Sequence, residues 1–446
     1  MTDFQALLGD AREETRLEDS KPPWDRTAAL AEANRCLFCY DAPCIQACPT
    51  AIDIPRFIKQ IASDNVRGSA KTILSVNMLG ASCARVCPVE ELCAGACVMN
   101  DYNKTPIQIG RLQRYATDNA LANEKKTGRK LFQPKPATGK KVALIGAGPA
   151  SLACAAHLAL EGVHPVIFER DELPGGLNTT GVAPYKLHAQ DSLEEVEWLL
   201  GHGVDLHCGV TVGEEVSFED LRRDFDAVFI GVGLGADRML GFDGEGIWGA
   251  TELIRAIKND TEFVITDDIQ TAIIVGGGNT AIDIARELAM LGVPDVTTVY
   301  RRSEADMSGY KHEMEAARKH GVKLETGLSP KSASQKGGFT KVNFETADSE
   351  LITTQADMVV MAVGQAKWAQ LIGAEDLAFN DNGTVIVNPE SRETSIEGVY
   401  AGGDCINGGK EVVNAAADGR EAAFAMLEAF SSQQSAISAM ENDRDA

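Results

Sequence analysis

Three patterns predict an α/β chain in which an α-helical, cysteine-rich module precedes two Rossmann-like dinucleotide-binding folds, the second inserted in the first. Eight of the eleven cysteines fall within the 62 residues from Cys36 to Cys97. Two strand–glycine–helix–strand units open at VALIGAGPAS and TAIIVGGGNTA. Late in the chain, GVYAGGDC supplies a third glycine turn between a strand and a helix, which returns the chain to the first unit.

The cysteine stretch reads CLFCYDAPCIQACP and then CARVCPVEELCAGAC, or C-x2-C-x4-C-x3-C-P followed by C-x3-C-x5-C-x3-C. Thiolates this close converge on an iron–sulfur cage, and in two-cluster modules the last cysteine of a run often serves the other cluster. Two 4Fe-4S clusters are expected, making this a helical double iron–sulfur domain. Zinc favours C-x2-C pairs set far apart, often with His, and this stretch has no His. Disulfides suit small secreted domains, whereas the start MTDFQALLGDAREETRLEDS lacks the basic and apolar regions of a signal peptide. Apolar residues at three-to-four spacing in IPRFIKQIA, SAKTILSVNML and PIQIGRLQRYATDNAL predict the helices around the two runs. Spacing alone would assign all eight cysteines to the clusters.

The 446 residues, 44% hydrophobic and 24% charged, suit a soluble globular protein of two to three domains. A net charge of -23 argues against nucleic acid or an anionic membrane as partner. No apolar run reaches the ~20 residues of a membrane span, so a cytoplasmic protein is expected. Residues 1 to about 30 read as a polar, partly ordered lead-in. TGRKLFQPKPATGKK, with its Pro, Gly and basic residues, reads as the linker to the next domain.

In the first nucleotide unit, Gly146 permits the tight turn, and Gly148 lets the backbone approach a pyrophosphate facing the following helix N-terminus. Pro149 and Ala150 open that helix, and Ser151 holds the third glycine's place with a small side chain. Glu169 ends the next strand, 23 residues after Gly146, where a ribose would be bonded. The second unit carries Gly277, Gly278, Asn279 and Thr280 after Gly276, but its second strand ends in Arg301 and Arg302 with no acid. Arginines there suit a 2′-phosphate. A solvated surface pair is the alternative, and Glu304 and Asp306 close by weaken the attraction for phosphate. The strand end MVVMAVGQ, with Gly364, closes this unit, and Asp404 of the late turn is placed to face a flavin's ribityl or phosphate oxygens. Cys154, Cys208 and Cys405 stand alone; without C-x-x-C in either fold, a redox disulfide of the thioredoxin-reductase kind is not expected. No G-x-S-x-G or Walker sequence supports hydrolysis or phosphoryl transfer.

The order of these parts resembles the glutamate synthase small-subunit family, and more closely the electron-input half of dihydropyrimidine dehydrogenase. RCLFCYDAPCIQACPT, LGASCARVCPVEELCAGAC, PIQIGRLQRYA, GAGPAS, FERDELPGGL and AGGD carry the resemblance. It implies one cluster on Cys36, Cys39, Cys44 and Cys97, and another on Cys48, Cys87, Cys93 and the side chain of Gln113, with Cys83 a non-ligand. It implies FAD contacts at Gly146 to Ala150, Glu169, Gly175, Gly176, Leu177, Lys186 and Asp404, and NAD(P)H contacts at Gly277 to Thr280, Arg301 and Arg302. Ser308 stands where a further arginine lies near the 2′-phosphate in the mammalian enzyme, which leaves NADH or NADPH open. The implied path runs from NAD(P)H as hydride to FAD, then singly through the clusters. A partner FMN-containing dihydropyrimidine dehydrogenase subunit (PreA-like) would form a heteromer with the chain and reduce uracil and thymine. A glutamate synthase small subunit, or the subunit of a related NADPH–ferredoxin transhydrogenase, is the alternative. A zinc-binding scaffold without redox work is the alternative of another class. The expected domains are 1–134 (iron–sulfur), 135–268 with 367–430 (FAD), 269–366 (NAD(P)) and a disordered tail, 431–446.

Overall fold

The computed structural model describes residues 4–336 and 339–444. They form two compact units. One gathers the chain up to Ser20, Thr179–Gln190 and Gly235–Ala366; the other holds Lys21–Asn178, Asp191–Leu234 and the chain from Lys367.

The larger unit begins with the helices Arg26–Ala33, Ile54–Ala62, Val66–Leu74, Gly80–Val86 and Ile109–Thr127. Asp53 caps Ile54–Ala62 by accepting the Arg56 N–H at 3.1 Å, and Pro55 sits in the first turn where no N–H is needed. That helix turns Phe57, Ile58 and Ile61 inward, onto Leu112 and Ala116 of Ile109–Thr127. The linker is pinned: Leu131 packs on Ala70, Leu74 and Ala120, and its N–H donates to Glu124 at 2.6 Å.

Next comes a five-stranded parallel sheet in the order Val399–Ala401, Ala227–Ile230, Lys141–Ile145, His164–Glu169, Asp205–Cys208. Its central strands are almost continuous apolar runs, as strands covered on both faces must be. Val399 pairs with Val228 and Ala401 with Ile230, so the chain re-enters this sheet after the insert. The closing helix Val412–Arg444 packs so tightly on Pro149–Leu160 that a Cβ on Gly419 would lie 2.0 Å from the Ala150 carbonyl. The expected disordered tail is corrected here: the helix runs on through residues 431–444, because SSQQSAISAMENDR has no Gly or Pro to stop it. Residues 445–446 lie outside the described residues.

The smaller unit holds a second parallel sheet, ordered Ile247–Gly249, Met358–Met361, Thr271–Val275, Asp295–Tyr300, Lys323–Thr326. A three-stranded antiparallel sheet, Ser329–Lys336, Phe339–Glu345 and Leu351–Ala356, belongs to the same unit and had no counterpart in the sequence reading. The unit starts at Gly235, not at 269, because Ile247–Gly249 pairs with Met358–Met361 and the helix Ala250–Asn259 shares its core. It also claims the lead-in, where Phe4, Leu8 and Leu17 are buried and Glu14 accepts the Ala189 N–H at 2.9 Å. Among the described residues no helix is long and apolar enough to cross a membrane.

Candidate functional site

The eight clustered cysteines divide between two cavities. Cys36, Cys39, Cys44 and Cys97 line the first, with Ile54, Ile58 and Ile107 as apolar wall. A left-handed Phe38 (φ 52°) closes the first C-x2-C turn, and its N–H points at the Cys36 sulfur at 3.5 Å. Burial pushes the Cys44 thiol up to about 12, helped by Cys36 and Cys97. Cys48, Cys83, Cys87, Cys93 and Gln113 line the second cavity. There the Cys83 hydrogen bond, burial and the nearby thiols hold Cys87 well above its ordinary value, and burial pushes Cys93 up to about 12. Among the described residues no three His, Cys, Asp or Glu side chains converge as ligands of a single ion. Four thiols around one cavity, and four thiols with an amide around the other, are a donor set that fits iron–sulfur cages.

Sequence spacing missed two features of the second cavity. Cys83 lies on the helix Gly80–Val86, and Cys87, which caps that helix, donates its N–H to the Cys83 carbonyl at 3.1 Å. Val413, on the closing helix of the first nucleotide fold, also lines the cavity. The same fold holds the cluster module in two other places. Arg420 donates to the Thr50 and Val76 carbonyls at 2.7 and 3.2 Å. Glu195, wholly buried, accepts the Ala81 and Ser82 N–H groups at 2.8 and 3.1 Å, and the Ser82 hydroxyl as well.

Burial raises the Glu195 carboxyl from 4.5 to about 7, opposed by those hydrogen bonds and by Arg85, which is itself paired with Asp118 and Asp191. The folded chain thus keeps a proton that the unfolded chain releases above 4.5, so the contribution of Glu195 to stability is greatest below that pH and is lost as pH rises through about 7. Thermal melts across this window are expected to show the decline, and Glu195→Gln, which cannot titrate, is expected to remove that part of it. An unchanged slope in the variant would contradict this.

Three turns meet in the first nucleotide fold. Gly146 (φ 90°) leaves its strand so close to Gly231 that a Cβ would sit 2.8 Å from that carbonyl. Gly176 (φ 55°) lies against Gly148, with room for no Cβ (2.9 Å), and the Gly175 N–H donates to Ala147 at 2.9 Å. Leu177 starts the short helix that follows. The turn before Asp404 approaches Ala150, where a Cβ on Gly403 would stand 3.1 Å from the Ala150 Cβ. Pro149 opens the helix Pro149–Leu160, and Ser151 is fully buried beside Gly231. Glu169 reaches back to this cradle, accepting the Ala147 N–H at 2.5 Å and the Asp171 N–H at 2.8 Å, while burial raises its carboxyl. Asp404 is likewise raised by burial and accepts the Lys410 N–H at 3.1 Å. Bare backbone on both sides of a helix N-terminus is the surface a diphosphate needs, so these residues fit a dinucleotide such as FAD.

The second fold repeats the device. A Cβ on Gly276 would strike the Ala362 carbonyl at 2.3 Å, and one on Gly277 the Tyr300 ring at 2.4 Å. Asn279 and Thr280 begin the helix Asn279–Met290, and Asn279 Oδ1 accepts the Tyr310 N–H at 2.8 Å. Ser308 comes within 3.5 Å of a Cβ built on Gly278. Arg301 and Arg302 are exposed, and among the described residues neither forms an ion pair. Of the acids expected to weaken them, Glu304 pairs with Arg318 at 2.8 Å, whereas Asp306 accepts the Ser303 hydroxyl at 2.6 Å and still feels the charge of Arg302. Gly364 (φ 99°) accepts the Arg238 N–H through its carbonyl at 2.8 Å.

Lys186 lies in this smaller unit, apart from the turns of the first fold. Its ammonium sits 2.7 Å from Asp283 and 2.9 Å from Glu313, with the Tyr185 hydroxyl donating to Asp283 at 2.8 Å. Burial works to lower Lys186, but the two carboxylates outweigh it and keep it charged. No local pattern could have announced this, because the partners lie about 100 residues away along the chain.

Comparison with known proteins agrees with this geometry. Residues 13–125 match the family described as "Dihydroprymidine dehydrogenase domain II, 4Fe-4S cluster", and 140–419 match "Pyridine nucleotide-disulphide oxidoreductase". The chain is 36% identical to the NAD-dependent dihydropyrimidine dehydrogenase subunit PreT of Escherichia coli K12, over 92% of this chain and 96% of that one. It is 32% identical to the small chain of the NADPH glutamate synthase of the same organism, over 91% and 92%. In structure it is similar to Mycobacterium tuberculosis FprA in complex with NADPH (TM-score 0.53, 19% identity, 68% of this chain and 86% of that one), which shows the shared fold. The chain is an oxidoreductase of the pyridine nucleotide-disulphide family, in the group of PreT and the glutamate synthase small chain, with an amino-terminal 4Fe-4S domain ahead of its FAD and NAD(P) folds.

Proposed function

We propose that this chain is the cytoplasmic electron-input subunit of a dihydropyrimidine dehydrogenase. It oxidises NAD(P)H and passes the electrons through FAD and two 4Fe-4S clusters to an FMN-containing partner that reduces uracil and thymine to their 5,6-dihydro forms. When bound, the flavin supplies the change from a two-electron hydride to single electrons that clusters can carry. Cys36, Cys39, Cys44 and Cys97 hold one cluster; Cys48, Cys87, Cys93 and Gln113 hold the other. Gly146, Gly148, Gly175, Gly176 and Asp404 shape the flavin's phosphate cradle, and Glu169 bonds its ribose. Gly277, Gly278, Asn279 and Thr280 receive the nicotinamide coenzyme.

The observation that carries this reading is Val413, a residue of the flavin fold's closing helix that lines a thiol cavity of the cluster module. It puts that cavity next to the flavin fold, where an electron leaving the flavin would enter. The test is co-purification with the FMN subunit, followed by an assay of NAD(P)H-dependent uracil loss. Product formation by the pair, but by neither chain alone, is expected. Activity instead with a glutamine-dependent large subunit and 2-oxoglutarate would favour the glutamate synthase reading, which the 32% identity keeps in view.

Arg301 and Arg302, both exposed at the end of the strand Asp295–Tyr300, would receive a 2′-phosphate, Glu304 being taken up by Arg318. Replacing both by alanine is expected to lower kcat/KM for NADPH by about 10- to 100-fold, the value of one to two hydrogen bonds to a charged group, and to leave NADH within about twofold. Equal losses for both coenzymes would show that the pair does not read the phosphate.

A further inference from the structure

With the Asn77 amide oxygen already accepting the Leu79 N–H at 3.1 Å, the second cavity still holds one donor more than a four-iron cluster uses. Cys48, Cys83, Cys87, Cys93 and Gln113 all line it, whereas four thiols line the first. Cys83 is 1% exposed and hydrogen-bonds Cys87, the residue that caps its helix. Gln113 is committed at one end, because its Nε2 donates to the Gly80 carbonyl at 2.8 Å, and this leaves the amide oxygen as its ligating atom. Gly80 begins the helix that carries Cys83, and Glu195 holds the next two N–H groups of that helix. Both donors are therefore tied to one short segment and line the same cavity.

We propose that Cys83 is a resident spare ligand of the second cluster, taking the iron that the Gln113 amide oxygen vacates. The proposal rests on the assignment of Gln113 above. In the exchange an Fe–O bond breaks and an Fe–S bond forms. The Cys83 proton goes to solvent, and no electron changes hands. A thiolate in place of a neutral amide adds one negative charge to the cluster, which lowers its potential. The cavity thus supports two ligation states of different potential, selected by one side chain.

The test compares Gln113→Ala, Cys83→Ser and the double variant as holoprotein. The readouts are iron content, the electron paramagnetic resonance of the reduced sample, the midpoint potential, and FAD content as the measure of intact fold. Gln113→Ala is expected to keep about eight irons per chain, with an altered signal and a more negative potential. The double variant is expected to fall to about four irons with its FAD retained. Cys83→Ser is expected to keep the iron and the wild-type signal. If Gln113→Ala alone drops to about four irons, or the double variant keeps all of them, Cys83 is not the replacement. If Cys83→Ser alone changes the signal, Cys83 is bound at rest, and the Gln113 assignment itself falls. Gln113→Leu, close to glutamine in volume, repeats the comparison where the alanine variant loses FAD.

Discussion

Cys44→Ser is expected to remove the first cluster and to disconnect the chain from its partner without silencing it. Cys44 is one of four thiols around the first cavity, and no other thiol lines that cavity to replace it. Iron should fall from about eight to about four per chain. Dye reduction by NAD(P)H, which draws on the flavin, should stay within about twofold, while partner-coupled uracil reduction should fall at least about a hundredfold because a carrier is missing. Parallel loss of both activities would mean that the first cluster does not lie between the flavin and the partner. The effect differs from that expected at Gln113, where a spare thiol is at hand.

Gly176→Val is expected to abolish flavin binding. Gly176 has φ 55°, a region β-branched residues avoid, and its Cβ would lie 2.9 Å from the Cα of Gly148. Relieving that contact means parting the two turns that form the cradle. Bound FAD should fall to less than about a tenth of wild type, since displacing backbone from a phosphate site costs several charge-assisted hydrogen bonds. NAD(P)H oxidation should go with it. Iron content is expected to remain, because the cluster ligands stand on other elements of the chain. A variant with full flavin content would show that the cradle is not where FAD binds.

What the sequence made legible is what is local. The cysteine runs, the two glycine turns and the helix over Ile54–Ala62 each need only a few neighbouring residues to be recognised, and the structure places them in the expected kinds of element. What it hid depends on distant partners. Ile247–Gly249 reads as a loop until Met358–Met361 pairs with it, so the insert begins earlier than expected. The lead-in looks polar because its charges outnumber Phe4, Leu8 and Leu17, yet those three are buried, and so are Arg12, Glu13 and Glu14. The resemblance counts Lys186 among the flavin contacts, while the ion pairs of its ammonium with Asp283 and Glu313 had no signal in the sequence. Spacing alone counted Cys83 among the ligands and the resemblance set it aside; the structure adds that it lines the same cavity as Gln113.

The most direct test of the electron path is the ratio of iron to flavin in the anaerobically purified chain, read together with its response to NAD(P)H. About eight irons and one FAD per chain, with flavin absorbance bleached on adding NAD(P)H, is the predicted result. A chain carrying zinc in place of iron, or a flavin that NAD(P)H leaves unbleached, would contradict it.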